Sequence, residues 1–118
     1  MSEDPFGLEA ARSQGIELDD VGQDLLYEDE SIRVWGIALE PGVSQPFHFH
    51  HHPYLVISLG GDANQVETIF GETRDTYEPA GNVVVRNEQG PVHRLVNVSQ
   101  TPYRCRLVEI KTEEWTGE

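Results

Sequence analysis

At 118 residues, the chain has room for one domain and a single hydrophobic core. Its 21 acidic side chains against eight basic ones give a net charge of −13, which argues against nucleic acid and anionic membrane as partners, because both repel an acidic surface. One cysteine, Cys105, excludes an intrachain disulfide and suits a reducing compartment. No apolar stretch approaches the length of a membrane span, and the opening residues lack the basic region and apolar run of a signal peptide. A cytoplasmic protein is the expectation.

The charge is uneven. Residues 1–30 hold ten acids against Arg12, a net of −9, so the remaining 88 residues carry only −4. A solvated acidic arm is the simplest reading of this segment. Lys111 is the one lysine against seven arginines, and acid excess with little lysine also fits a salt-adapted protein.

In chain order, residues 4–14 carry a cap, an early proline and helix formers, and predict a short helix or irregular arm ended by Gly15. Residues 21–27 predict a first strand. Residues 31–39 alternate, with Ile32, Val34 and Ala38 on one face and Arg33, Trp35, Ile37 and Leu39 on the other. Both faces hold apolar residues, which predicts cover on both sides, by the core and by a second sheet or subunit. Further strands are predicted over 54–59, 65–70, 73–77, 82–86, 92–98 and 104–111, punctuated by Gly, Pro and Asn. Short strands at this spacing predict an all-β sandwich or barrel. The domain divides into an acidic arm with the first strand (1–30) packed on the barrel, the barrel itself (31–111) and a tail (112–118).

Four of the five histidines, His48, His50, His51 and His52, fall between Gly42 and Tyr54. On an extended segment His48 and His50 face one way, and Phe47 and Phe49 the other. If residues 91–98 form a strand, His93, Leu95 and Asn97 share a face. Three imidazoles turned onto one point would bind a metal and leave positions open for water or substrate. Taken alone, each of these histidines reads as an ordinary polar residue; the case rests on the set.

Gly42, five residues, His48, Phe49 and His50, with Gly61 further on, resemble the opening and close of the first cupin motif. Pro79-Ala80-Gly81 and His93 to Asn97 are similar to the second. The resemblance covers roughly residues 31–111 and implies the cupin double-stranded β-helix, a jelly-roll barrel, with a metal held by His48, His50 and His93. Two departures stand out. Tyr54 or Leu55 occupies the place of the motif's glutamate, and eleven residues, not two, separate Gly81 from His93.

A three-histidine set is similar to that of cupin dioxygenases that hold iron, which implies a dioxygenase-like enzyme acting on a compact anionic metabolite. A non-catalytic metal or small-molecule sensor is the alternative, and a barrel with a relic site is a third. Iron(II) is the cofactor the resemblance implies; imidazole also accepts nickel, zinc and copper. Tyr54 is the candidate catalytic residue, through a hydrogen bond from its phenol, and packing against the wall is its other reading. His52 and Asn97 are candidate outer partners of the metal site. Arg86 and Arg94 read either as cations for an anionic substrate or as ordinary surface charge. The resemblance further implies a homodimer.

Overall fold

The computed structural model describes residues 3–115. Its elements in order are α1 (Leu8–Ser13), β1 (Asp24–Glu28), β2 (Ile32–Leu39), β3 (Tyr54–Gly60), β4 (Ala63–Thr68), β5 (Thr73–Tyr77), β6 (Val83–Arg86), β7 (His93–Asn97) and β8 (Tyr103–Ile110). A five-stranded sheet runs β1-β2-β8-β3-β6, and a three-stranded sheet runs β5-β4-β7. Every ladder between these strands is antiparallel. The two sheets face each other as a jelly-roll barrel, the all-β architecture that the strand spacing predicts.

The inward rows follow from register. Trp35 opposes Leu107, Ile37 opposes Cys105 and Leu39 opposes Tyr103. These six residues and Val21 form one buried cluster. Each large apolar side chain so buried contributes about 1.5–3 kcal/mol. Glu109 continues the same inward row. Its carboxylate accepts hydrogen bonds from Trp35 Nε1 (2.7 Å) and Arg33 (3.1 Å), which offsets the cost of burying it.

A second cluster, Ala11, Phe49, Ile69 and Val92 with Phe6, Leu8, Ala10, Ile16 and Phe47 against it, lies on the other side of the histidine segment. The N-terminal arm therefore covers the phenylalanine face of residues 47–49, while the histidine face is turned to the barrel interior. Gly7 permits the close approach: its φ of 78° is left-handed, and a Cβ there would stand 2.1 Å from Ile69 Cγ2.

Two local expectations change in detail. The helix begins at Leu8, not residue 4, because Gly7 is left-handed and Asp4 folds back to accept from the Glu9 and Ala10 amides. β1 begins at Asp24, not residue 21. Val21 is buried as a loop residue, and the side-chain amide of Gln23 bonds both the N–H and the C=O of Ala38 in place of a backbone ladder. Residues 42–52 are extended but form no regular strand. They contact β7 through isolated bridges at Ser44–Val96 and His48–His93, interrupted by Pro46, which has no N–H to donate.

Among the described residues, no second layer covers the outer face of the large sheet at β3 and β6. On that face Leu55 opposes Val85 and Ile57 opposes Val83, and Ile57, Val83 and Val85 are exposed.

Candidate metal centre

His48, His50 and His93 converge. Their ring centroids are 4.7 to 5.1 Å apart, and one ligating nitrogen from each lies within 4.8 Å of the others. Nitrogens around one zinc-class ion sit about 3–4 Å apart, given bonds of about 2.0–2.1 Å. The three nitrogens therefore lie near ligating spacing. Among the described residues, no carboxylate or thiol joins this group.

Local sequence fixes two of the rings in the same manner. His48 Nδ1 lies 3.0 Å from the carbonyl of Pro46, and His93 Nδ1 lies 2.9 Å from the carbonyl of Pro91. A carbonyl only accepts, so each Nδ1 carries the proton and donates it. That leaves Nε2 of both rings with a free lone pair, the usual arrangement of a metal-ligating histidine. Each proline is two residues before its histidine, a spacing readable in the sequence as Pro-Phe-His and Pro-Val-His.

The rings are also held neutral. Burial, followed by the neighbouring His93, pushes His48 down to about 3. Burial lowers His50 well below its ordinary value, with His48 and His93 adding to the effect. His93 is lowered first by burial, against the opposing pull of the Pro91 carbonyl, and then by Arg74 and Arg86. Neutral imidazole is the ligating form. His50 Nδ1 is buried and has no hydrogen-bond partner, an unmet need at the centre of the cluster. Geometry, tautomer, charge state and this orphaned nitrogen together fit a divalent cation.

Tyr54 lies flat on His50, with centroids 3.8 Å apart and planes 11° from parallel. It starts β3 where the cupin motif has its glutamate, and its side chain lines the cavity instead of adding a carboxylate to the metal set. Burial pushes its phenol up to about 12, so it is a neutral hydrogen-bond donor across the physiological range.

The cavity holds about 520 Å³, a size suited to a small ligand. Its upper part carries the histidines, Tyr54 and Thr68, its waist Val56, Val66, Leu95 and Leu107, and its lower part Tyr103, Cys105 and Glu78. Glu78 accepts from Tyr103 (3.1 Å), Asn64 (2.8 Å) and Thr76 (2.8 Å), so this buried carboxylate is tied by its neighbours. Burial raises the Cys105 thiol to about 11, and it stays protonated.

Other candidates stand elsewhere. Asn97 shares the inward face of β7 but lies four residues from His93, about 13 Å along a strand. Its side chain donates to the carbonyls of Leu39 and Thr101 and accepts from Ser99, closing the loop after β7. It is not a partner of the metal site. His52 Nδ1 lies 2.7 Å from the Glu113 carbonyl and holds the C-terminal turn, so it too is turned from the cluster. The tail expected over 112–118 is described as far as Trp115, whose amide donates to His51 O; residues 116–118 lie outside the described residues. Arg94 alternates with His93 and points outward, pairing with Glu67 at 2.7 Å and lying over the Phe47 ring. Arg86 does line the cavity. Thr68, Arg74 and Glu78 line it as well; Arg74 carries no signal in sequence, since β5 reads as polar on both faces.

The long separation between Gly81 and His93 is accounted for by β6 and a loop. Gln89 in that loop donates to the carbonyl of His50 at 3.0 Å, bracing the histidine segment.

No sequence-family model matches the chain, and no curated protein does. Solved structures do match. A cupin domain from Bordetella pertussis Tohama I is 22% identical, with a TM-score of 0.64 over 79% of this chain and 99% of that one. An uncharacterized conserved protein with a double-stranded β-helix domain from Klebsiella pneumoniae is 18% identical, with a TM-score of 0.61 over 84% and 85%. A Cupin 2 conserved barrel domain protein from Salinispora arenicola is 22% identical, with a TM-score of 0.55 over 99% and 90%. The chain has the cupin fold, a double-stranded β-helix, and carries three clustered histidines inside it.

Proposed function

We propose that this is a metal-dependent cupin of dioxygenase type, holding iron(II) through His48, His50 and His93 and acting on a compact anionic metabolite. The observation that carries the reading is the convergence of three neutral imidazoles, two of them fixed by proline carbonyls, with no carboxylate among them. When bound, the ion supplies Lewis acidity and, as iron(II), the redox chemistry of oxygenation.

The protein's own residues set the rest. Three neutral ligands leave the full dipositive charge at the site, so an anionic donor from the substrate is favoured there. Tyr54, flat against His50 and protonated, donates a hydrogen bond to that ligand. Val56, Val66, Leu95 and Leu107 line the waist with apolar surface and exclude water. Glu78 is already engaged by three donors, so the cavity floor offers no free base.

A sensor that binds metal or ligand without turnover uses the same barrel, and turnover separates the two readings. Elemental analysis of untagged protein comes first, followed by a substrate screen in an oxygen electrode under iron(II). Oxygen uptake lost in His93→Ala supports the enzyme. Stoichiometric metal with no uptake across compact carboxylates, enolates and thiolates supports the sensor. The exposed face carrying Ile57, Val83 and Val85 favours pairing with a second copy, which light scattering reads directly as a dimer mass.

A further inference from the structure

Two arginines line the same cavity as the three histidines. β5 and β6 are edge strands, one in each sheet, and both contribute side chains to the cavity. On β5, Arg74 opposes Val66, which in turn opposes Leu95 on β7; on β6, Arg86 opposes Tyr54. Directly opposed residues share a face of their sheet. Val66, Leu95 and Tyr54 all line the cavity, so Arg74 and Arg86 are on the inward faces, and both line it too.

Their charges are also uncommitted. Among the described residues, Arg12, Arg33, Arg94 and Lys111 each reach a carboxylate, whereas Arg74, Arg86, Arg104 and Arg106 do not; of these four, Arg74 and Arg86 line the cavity, which Glu72 and Glu88 also border. Both guanidinium groups act electrostatically on His93 and on Tyr54, on opposite sides of the site. Arg86 is half-buried on β6 and Arg74 is exposed on β5, and both border the cavity of a chain whose net charge is −13. An anion in the cavity would supply their missing partner, and guanidinium suits carboxylate and phosphate through paired N–H donors.

We propose that Arg74 and Arg86 clamp a second anionic group, so that the ligand is a compact molecule with two anionic groups: a metal-chelating head with a carboxylate or phosphate a few atoms away. This inference rests on the metal-centre reading for the head and on the arginines alone for the tail. Inward charge on an edge strand also deters edge-to-edge pairing. That role by itself would leave tail charge unrecognised.

The test uses cobalt(II)-loaded protein and three probes sharing an α-hydroxy-carboxylate head: 2-hydroxypentanoate with a neutral tail, 2-hydroxyglutarate with a carboxylate tail and 3-phosphoglycerate with a phosphate tail. Binding is read from the cobalt absorption. The expected result is that at least one charged tail binds about tenfold or more tighter than the neutral one. The better of the two identifies the tail chemistry. Arg74→Gln and Arg86→Gln should each remove most of that preference, read as the ratio of charged-tail to neutral-tail affinity, and Arg86→Lys should keep part of it. Equal binding of the three probes by the wild type overturns the clamp even if the variants fail to fold, as does a preference that survives both glutamine substitutions. If the protein takes up no cobalt, the metal reading fails separately. Inorganic phosphate titrated into metal-free protein by NMR then decides the clamp: arginine-dependent shifts support it, and their absence overturns it.

Discussion

His48 and His93 exchange both backbone hydrogen bonds, His48 N–H to His93 O at 2.9 Å and His93 N–H to His48 O at 3.1 Å. A hydrogen-bonded antiparallel pair places two side chains opposite one another on one face. The rings are therefore brought to 4.7 Å by the backbone itself, from positions 45 residues apart. Any ion held there is held by a prearranged pair, with His50 added from one alternation further along.

Asn97 tests whether height along the strand, rather than face, decides membership of the site. Asn97→Ala should destabilise the protein by about 2–4 kcal/mol, since four buried or half-buried hydrogen bonds are lost. Metal affinity should be unchanged. Urea denaturation and a metal titration on the same sample check both halves. Weakened metal binding in a folded variant would return Asn97 to the site.

Tyr54→Phe keeps the ring against His50 and removes only the hydroxyl. Metal content should stay at the wild-type level while affinity for an anionic ligand falls about fivefold to tenfold, the worth of one hydrogen bond. Because burial pushes the phenol up to about 12, ligand binding in the wild type should show no titration from Tyr54 between pH 7 and pH 10. Isothermal titration across that range is the measurement.

Acid should loosen the metal-free protein through its histidines. All three have folded-state pKa values below the ordinary 6.5. The unfolded chain therefore binds more protons between that value and the depressed ones, and stability falls as pH drops. For His48 the window runs from about 6.5 down to about 3. Denaturation midpoints should decline from pH 7.5 to pH 5.5, before most carboxylates titrate, and the slope should be shallower in His48→Gln. A flat profile would contradict the buried, neutral rings.

Charge crowding predicts a salt effect. With a net charge of −13, self-repulsion opposes the compact state and is screened when the Debye length shrinks from about 30 Å at 0.01 M to about 3 Å at 1 M. Melting temperature should rise between those concentrations of potassium chloride. An unchanged melt would remove both the repulsion and the salt-adapted reading of the composition.

Alternation made most of the barrel readable before any coordinates. Trp35, Ile37 and Leu39 share the inward face on which they are found, and β3 through β8 begin and end within two residues of the expected ranges. The histidine pair with its preceding glycine, and the distant His93, were legible as a set because spacing and residue type both carry the information. What stayed hidden was three-dimensional. A face assignment put Asn97 with His93 but said nothing of the distance between them. His52 differs from its neighbours only by what its ring meets, a carbonyl of the C-terminal turn. Arg74 is inward because Val66 is inward, a relation of register between strands and not of pattern within one. The start of β1 was obscured because Gln23 lets a side chain do the work of a ladder.

The decisive measurement is the metal content of untagged protein after loading with cobalt(II) or iron(II) and desalting, compared with His48→Ala, His50→Ala and His93→Ala that retain the wild-type circular dichroism spectrum. One ion per wild-type chain and less than a tenth of an ion in each variant, about the loss expected when one of three ligands is removed, is the predicted result. An empty wild type, or a folded His93→Ala variant that still holds a full equivalent, would contradict the three-histidine centre.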